Sequence, residues 1–206
     1  MGASKRLAES LVISAGGRTN HAYVVVRFGN VLGSRGSVVP TVQAQIERGG
    51  PSTITHPDMK RFFMTIPEAV QLVLQAGGMG TAGDLFVLNM GEQIRVLDLI
   101  NDVIRLSGVD PATIPIETTG IRPGEKLDEA LWESDATVEV TSNPDVYRVR
   151  EHDLQAALDI RPMLDDVIAA AESGDIERLH LCVALALPTY ARPSAVSPRV
   201  TTPHGR

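Results

Sequence analysis

Apolar positions along the chain switch between two spacings, and the switches mark the elements. Leu7, Ala8, Leu11 and Val12 form one apolar stripe at helical spacing, and Gly16-Gly17 predicts its end. Ala22 to Phe28 (AYVVVRF) is rich in β-branched residues without clean alternation, as expected of a strand buried on both faces of a parallel sheet. A glycine-punctuated loop, Gly29 to Gly36, follows it. Val38 to Arg48 reads as a helix ending at Gly49-Gly50. Short strands are expected at Ser52–Thr55 and Arg61–Thr65. Thr65 and Glu68 form a capping-box pattern ahead of Ile66, Ala69, Val70, Val73 and Leu74 at helical spacing. Asp84 to Asn89 reads as another buried strand. Val96, Leu99, Ile100, Val103 and Ile104 define the clearest amphipathic helix, closed by Gly108, and Ile114 to Thr118 a short strand.

Beyond residue 120 the pattern loosens. Gly120 to Trp132 is expected to hold a charged loop and a short helix. Pro162 to Gly174 and Asp175 to Ala186 read as two helices, and the proline-punctuated stretch 188–206 as a disordered tail. Strands alternating with helices predict an α/β architecture with a parallel sheet. A doubly wound nucleotide-binding fold opens on a strand and a glycine-rich turn. No G-x-G-x-x-G follows a strand here, and Gly29 to Gly36 has neither the spacing nor the acidic residue about 20 positions on. Either the fold is a different α/β arrangement, or the chain begins partway through one.

Composition narrows the chemistry. The chain has 206 residues, 43% hydrophobic and 21% charged, as in an ordinary soluble domain. Its net charge of −6 argues against nucleic acid as the main partner, while leaving room for a local basic pocket. The lone cysteine, Cys182, excludes an intrachain disulfide and fits a reducing compartment such as the cytoplasm. Scattered histidines without H-x-x-x-H or C-x-x-C spacing make no metal site. No apolar run reaches the roughly 20 residues of a membrane span, and no apolar core of a signal peptide follows Met1.

A series of motifs then carries a resemblance. Arg27-Phe28-Gly29-Asn30-Val31-Leu32-Gly33-Ser34 resembles the strand-to-loop signature of extended short-chain dehydrogenases/reductases. Arg61-Phe62-Phe63-Met64-Thr65-Ile66-Pro67-Glu68-Ala69 resembles the later substrate-domain segment of that superfamily. Arg122-Pro123-Gly124-Glu125-Lys126-Leu127 resembles its loop closing on a nucleotide diphosphate. With His56-Pro57-Asp58-Met59 and Gly91-Glu92 they look like its polysaccharide-biosynthesis branch, the UDP-N-acetylglucosamine 4,6-dehydratases and related nucleotide-sugar enzymes. The resemblance runs from Met1 to about Tyr190. It implies the C-terminal part of a Rossmann-like fold with a small substrate-binding subdomain, over residues 1–187. Met1-Gly2-Ala3-Ser4-Lys5 keeps the register of the superfamily's Tyr-x-x-x-Lys helix, with methionine at the tyrosine position. A thioether moves no proton, so Met1 cannot be the acid/base. The expectation is a chain starting at an internal methionine, without the NAD phosphate-binding half.

The resemblance assigns Lys5 to the nicotinamide ribose, as catalytic and cofactor-binding residue, and Asn30, Arg61, Arg122 and Glu125 to the substrate. A pyrophosphate needs charge neutralisation and forked donors, which arginine supplies. Arg61 and Arg122 are therefore expected to converge on one dianion. Arg35, His56 and Cys182 read as a solvated loop arginine, an ordinary loop histidine and inert packing. The implied parent binds NAD or NADP and a UDP-sugar. It oxidises C4, removes water across C5–C6 and reduces C6. Complete relatives are often anchored to the inner membrane, and a homo-oligomer is an option. For this chain, tight cofactor binding and activity alone are not expected. The alternatives are an NDP-sugar 4-epimerase fragment, a non-catalytic sugar-nucleotide-binding module, or a poorly folding remnant with apolar edges exposed.

Overall fold

The computed structural model describes residues 2–19, 21–151, 160–190 and 192. Its central sheet has four strands in the order β1-β6-β10-β9. These are β1 (Val25–Arg27), β6 (Leu85–Leu88), β9 (Thr137–Val140) and β10 (Val146–Arg150). β1 and β6 run parallel, Val25 opposite Leu85, while β10 is antiparallel to both β6 and β9. All four residues of β6 are buried. Its unbroken apolar sequence follows from cover on both faces. On one face α3 (Ile66–Met79) packs Ala69 and Ala76 against Phe86 and Leu88. On the other, Val12 and Ile13 of α1 (Gly2–Thr19) join Trp132 over Val25, Leu85 and Val149.

A second core forms the small subdomain. Helix α4 (Val96–Leu106) lays its buried Val96, Ile100, Val103 and Ile104 against Val42 of α2 (Val38–Glu47). β3 (Ser52–Ile54) and β8 (Ile116–Thr118) pair in parallel beside them. Two short ladders join the layers: β2 (Asn30–Val31) parallel to β5 (Phe63–Met64), and β4 (Lys60–Arg61) antiparallel to β7 (Ile94–Arg95). The helical pair α5 (Arg161–Glu172) and α6 (Ile176–Ala186) closes over Leu7 of α1 through Ile160, Val183 and Leu187. Tyr190 joins this cluster and its hydroxyl lies 2.6 Å from His180 Nδ1, so residues just past 187 pack against the body. The rest of the expected tail, 191 and 193–206, lies outside the described residues, as does Met1.

Three expectations change. Helix α1 runs through Gly16-Gly17 to Thr19 instead of stopping there. Gly16 serves packing: a Cβ on it would sit 2.6 Å from Gly83 N, so the bare backbone admits the turn before β6. The buried face of α1 is Leu7, Ser10 and Ser14, with Leu11 half-exposed, because small residues let the helix approach the sheet. No helix forms between Gly120 and Trp132; the loop is held by long-range bonds described below. The β9–β10 hairpin was not anticipated. The Thr65 capping box is present: Thr65 Oγ1 donates to Glu68 at 2.6 Å and Thr65 N at 2.7 Å, and these bonds, the hydroxyl's first, hold that carboxyl below its ordinary range.

Four charges, Glu151 buried and Arg6, Glu9 and Arg27 half-buried, fasten α1 to the sheet. Arg27 of β1 donates through Nε and Nη2 to Glu9 at 2.9 and 2.7 Å, and through Nη1 and Nη2 to Glu151 at 2.8 and 3.0 Å. Arg6 pairs with both carboxylates. Glu151, only 2% exposed, also accepts from Glu133 N at 3.1 Å. Burial pushes the Glu9 carboxyl up to about 7, against the pull of Arg6. The folded chain then holds a proton that the unfolded chain releases above about 4.5, so this contribution is full below that pH and is lost as pH rises through about 7. Urea unfolding should show wild type losing stability relative to Glu9→Gln between pH 4.5 and pH 7; a difference independent of pH refutes the assignment.

Candidate functional site

The site is built where β1 and β6 end. Past Arg27 the chain crosses through Phe28-Gly29 into β2. A Cβ on Gly29 would lie 2.7 Å from Phe62 Cβ and 2.9 Å from Phe62 O, so only glycine fits this crossing. Asn30 N donates to Phe62 O at 2.8 Å and Leu32 N to Met64 O at 2.9 Å. This sets Asn30 opposite Phe63 of β5, the strand separated from Arg61 by one residue, with its own side chain exposed. The edge lies at the carboxyl end of a parallel strand, where open α/β sheets bind ligands.

Arg61 is 7% exposed, and its guanidinium is turned into the 122–129 loop. Nη1 donates to Lys60 O at 2.6 Å and Leu127 O at 2.9 Å, and Nη2 to Lys126 O at 2.8 Å. Nε lies 3.1 Å from Glu129 Oε1, and Nη2 lies 3.9 Å from Glu125 Oε1. Lys60 N adds a bond to Leu127 O at 3.0 Å. The shared direct grip expected of Arg61 and Arg122 is not what this geometry presents. The donors of Arg61 are satisfied by loop carbonyls and carboxylates, which makes it the anchor of the loop.

Glu125 completes the anchor. Its Oε2 accepts from Arg122 N at 3.0 Å, Oε1 faces the Thr55 hydroxyl at 3.4 Å, and Glu125 N returns a bond to Arg122 O at 3.0 Å. Lys126 contributes a backbone carbonyl to Arg61. Gly124 takes a positive φ of 77° to close the turn. Arg122 itself is exposed at the tip. One residue is thus fixed to Arg61 from below while presenting a guanidinium outward. Gln93 Nε2 braces the loop from the far side through Glu129 O at 2.9 Å.

The remaining residues place as follows. Lys5 is exposed on α1, where its charge is felt by Glu9 one turn on. Arg35 is exposed in the loop entering α2, whose N-cap, Ser37, makes no side-chain cap bond. His56 Nδ1 accepts from Asp58 N at 3.1 Å within its own turn, the ordinary loop role expected of it. Sequence reasoning passed over Thr55, Glu129, Glu9 and Glu151. Only Glu9 had a signal, its position four residues after Lys5; the others depend on tertiary approach. Among the described residues no cluster of metal-ligating side chains forms, and no described helix is long and apolar enough to cross a membrane.

The fold is that of the C-terminal part of a Rossmann-like extended short-chain dehydrogenase/reductase. The chain belongs to the polysaccharide biosynthesis protein family, whose model matches residues 1–151. It is 55% identical over 131 residues to the probable polysaccharide biosynthesis protein EpsC of Bacillus subtilis, covering 64% of this chain and 22% of that one. It is 47% identical over 170 residues to the capsular polysaccharide biosynthesis protein CapD of Staphylococcus aureus, covering 82% and 28%. UDP-glucose 4-epimerase of Rickettsia bellii is 37% identical over 153 residues, covering 72% and 43%. The solved structure of Pen from Bacillus thuringiensis superposes with a TM-score of 0.64 at 36% identity, covering 73% of this chain and 47% of that one. The chain thus spans under half the length of each relative.

The two arginines should separate by experiment. Arg61→Ala leaves two carboxylates and several carbonyls without their donor and should cost on the order of 2–4 kcal/mol in urea unfolding. Arg61→Lys cannot restore the fork and should still speed amide exchange around Lys126–Glu129. Arg122→Ala should stay within about 0.5 kcal/mol of wild type. Equal costs at the two positions would contradict the division of roles.

Proposed function

We propose that this chain is the nucleotide-sugar-binding part of a UDP-sugar 4,6-dehydratase of polysaccharide biosynthesis, with UDP-N-acetylglucosamine as the substrate. The observation that carries the reading is the loop at Arg122. A guanidinium stands outward on a turn fixed by Glu125 and Arg61, and one residue separates Arg61 from the strand paired with Asn30. Rigid presentation of a forked cation is what a diphosphate needs, since little ordering is left to be done on binding. Arg122 takes the diphosphate, Asn30 donates to a phosphate or sugar oxygen, and Arg61 and Glu125 act through the loop they hold. The match to a family named for polysaccharide biosynthesis supports the same substrate class.

Residues 1–187 form one functional body in this reading. Lys5 fits the ribose of NAD or NADP: it is an exposed cation on a helix fixed to β1 by the Arg27 pairs. The dinucleotide supplies reversible hydride transfer when bound. This chain's own part is to hold one ribose and keep sugar and nicotinamide in register. No glycine-rich phosphate turn lies within these residues, so the 206-residue chain alone is proposed to bind the cofactor weakly and to turn over no substrate. The UDP-glucose 4-epimerase relatives favour epimerisation at C4 as the second reading.

Calorimetry with UDP tests the pocket directly. A saturable heat, lost in Arg122→Ala and retained in Lys5→Ala, is the expected result. No binding, or equal binding by the Arg122 variant, removes the assignment. Turnover of UDP-N-acetylglucosamine by the 206-residue chain would overturn the account of Lys5 and the missing phosphate cradle.

A further inference from the structure

We propose that the groove between α3 and the β9–β10 turn is a second ligand site, and that it takes a neutral saccharide unit. The groove encloses about 490 Å³, within the roughly 300–1,000 Å³ typical of small-molecule sites. It lies on the α3 face of the central sheet, whereas Lys5 belongs to α1 on the opposite face. The sheet therefore separates it from the cofactor-facing helix.

The lining selects the ligand. Glu68 and Asp145 contribute carboxylates, and no Lys, Arg or His lines the groove, so a phosphate or nucleotide is repelled. Asp145 receives only a long side-chain bond from Asn89, at 3.5 Å, and the Gln71 carboxamide makes no hydrogen bond among the described residues. The Asp145 carboxylate, and the Glu68 oxygen not used by Thr65, thus stand beside an amide that both donates and accepts. Phe63 and Leu72 add apolar surface between them. A sugar ring offers the complement: adjacent hydroxyls for the carboxylates and amide, and an apolar C–H face.

The groove is also built in advance. Asn143 crosses from the turn to Gln75 of α3. Its Oδ1 accepts from Asp145 N at 2.9 Å, and the single Thr141 hydroxyl proton is shared between Asn143 O at 2.9 Å and Val146 O at 2.7 Å. The turn is thereby locked over the helix before any ligand arrives, which lowers the ordering cost of binding.

Saturation-transfer NMR on the 206-residue chain tests this, with the disaccharides of glucose and of N-acetylglucosamine as probes, spermidine as a cationic control, and UDP present at saturation. At least one saccharide should bind with a Kd of about 1–10 mM, unchanged by UDP and by Arg122→Ala. Gln71→Ala and Asp145→Ala should each weaken it roughly tenfold, with circular dichroism unchanged because both side chains are exposed. The proposal is overturned by absence of saturation, by displacement with UDP, by binding of spermidine alone, or by full binding in both groove variants. None of these outcomes bears on UDP binding at Arg122, so the two readings stand or fall separately.

Discussion

The burial of the Arg61 guanidinium is the constraint on which the site depends. A cation that is 7% exposed persists only where its donors are met, and here three carbonyls and a carboxylate meet them at 2.6–3.1 Å. Two of those carbonyls, at Lys126 and Leu127, belong to a segment more than sixty residues downstream. The requirement to satisfy Arg61 therefore folds the 122–129 loop down onto β4. Once it is down, Glu125 reaches both Arg122 N and Thr55, and Arg122 is left outside. A loop without regular structure becomes a rigid mount because a buried charge cannot be left unpaired.

The same logic operates on the other side of the sheet. Arg27 pairs with Glu9 and Glu151, which come from α1 and from the residue after β10. One arginine on the strand before the site fixes the helix bearing Lys5, and another on the strand after it fixes the loop bearing Arg122. Gly29 lies between them, where the chain crosses from the sheet to the small subdomain with no room for a side chain. Exposed Lys5 and exposed Arg122 thus each ride on an element held by an arginine with little exposure to water. Removing one buried partner leaves the other desolvated and unpaired, which costs more than any single exposed contact contributes.

Much of this was legible before any coordinates. The unbroken apolar run of β6, the four-residue spacing in α4 and the Thr65 capping box are local signals, and each element formed. The order of motifs was enough to place the chain among the polysaccharide-biosynthesis proteins. What did not read through was anything decided by approach between distant segments. Gly16-Gly17 is a helix stop in isolation, yet Gly83 packs against Gly16 and the helix continues. Thr137–Val140 carries too little apolar pattern to announce an edge strand, because Val140 is 76% exposed and β9 is recruited by β10. Arg61 and Arg122 looked equivalent, since residue type and motif do not reveal which guanidinium is already satisfied.

Net charge sets how such a site can work. At −6 the chain as a whole repels a nucleotide diphosphate. That long-range field is screened beyond roughly 8 Å at physiological salt. Attraction must then come from groups within contact distance, and under the proposed function Arg122, exposed on its loop, is that group. A flexible loop would lose much of the gain in ordering itself on binding. Holding Arg122 by its own backbone, through Glu125 and ultimately Arg61, removes that loss while leaving the guanidinium free to fork. The buried charges therefore do not compete with the ligand for the outward one; they make its short-range attraction usable in a protein whose overall field points the other way.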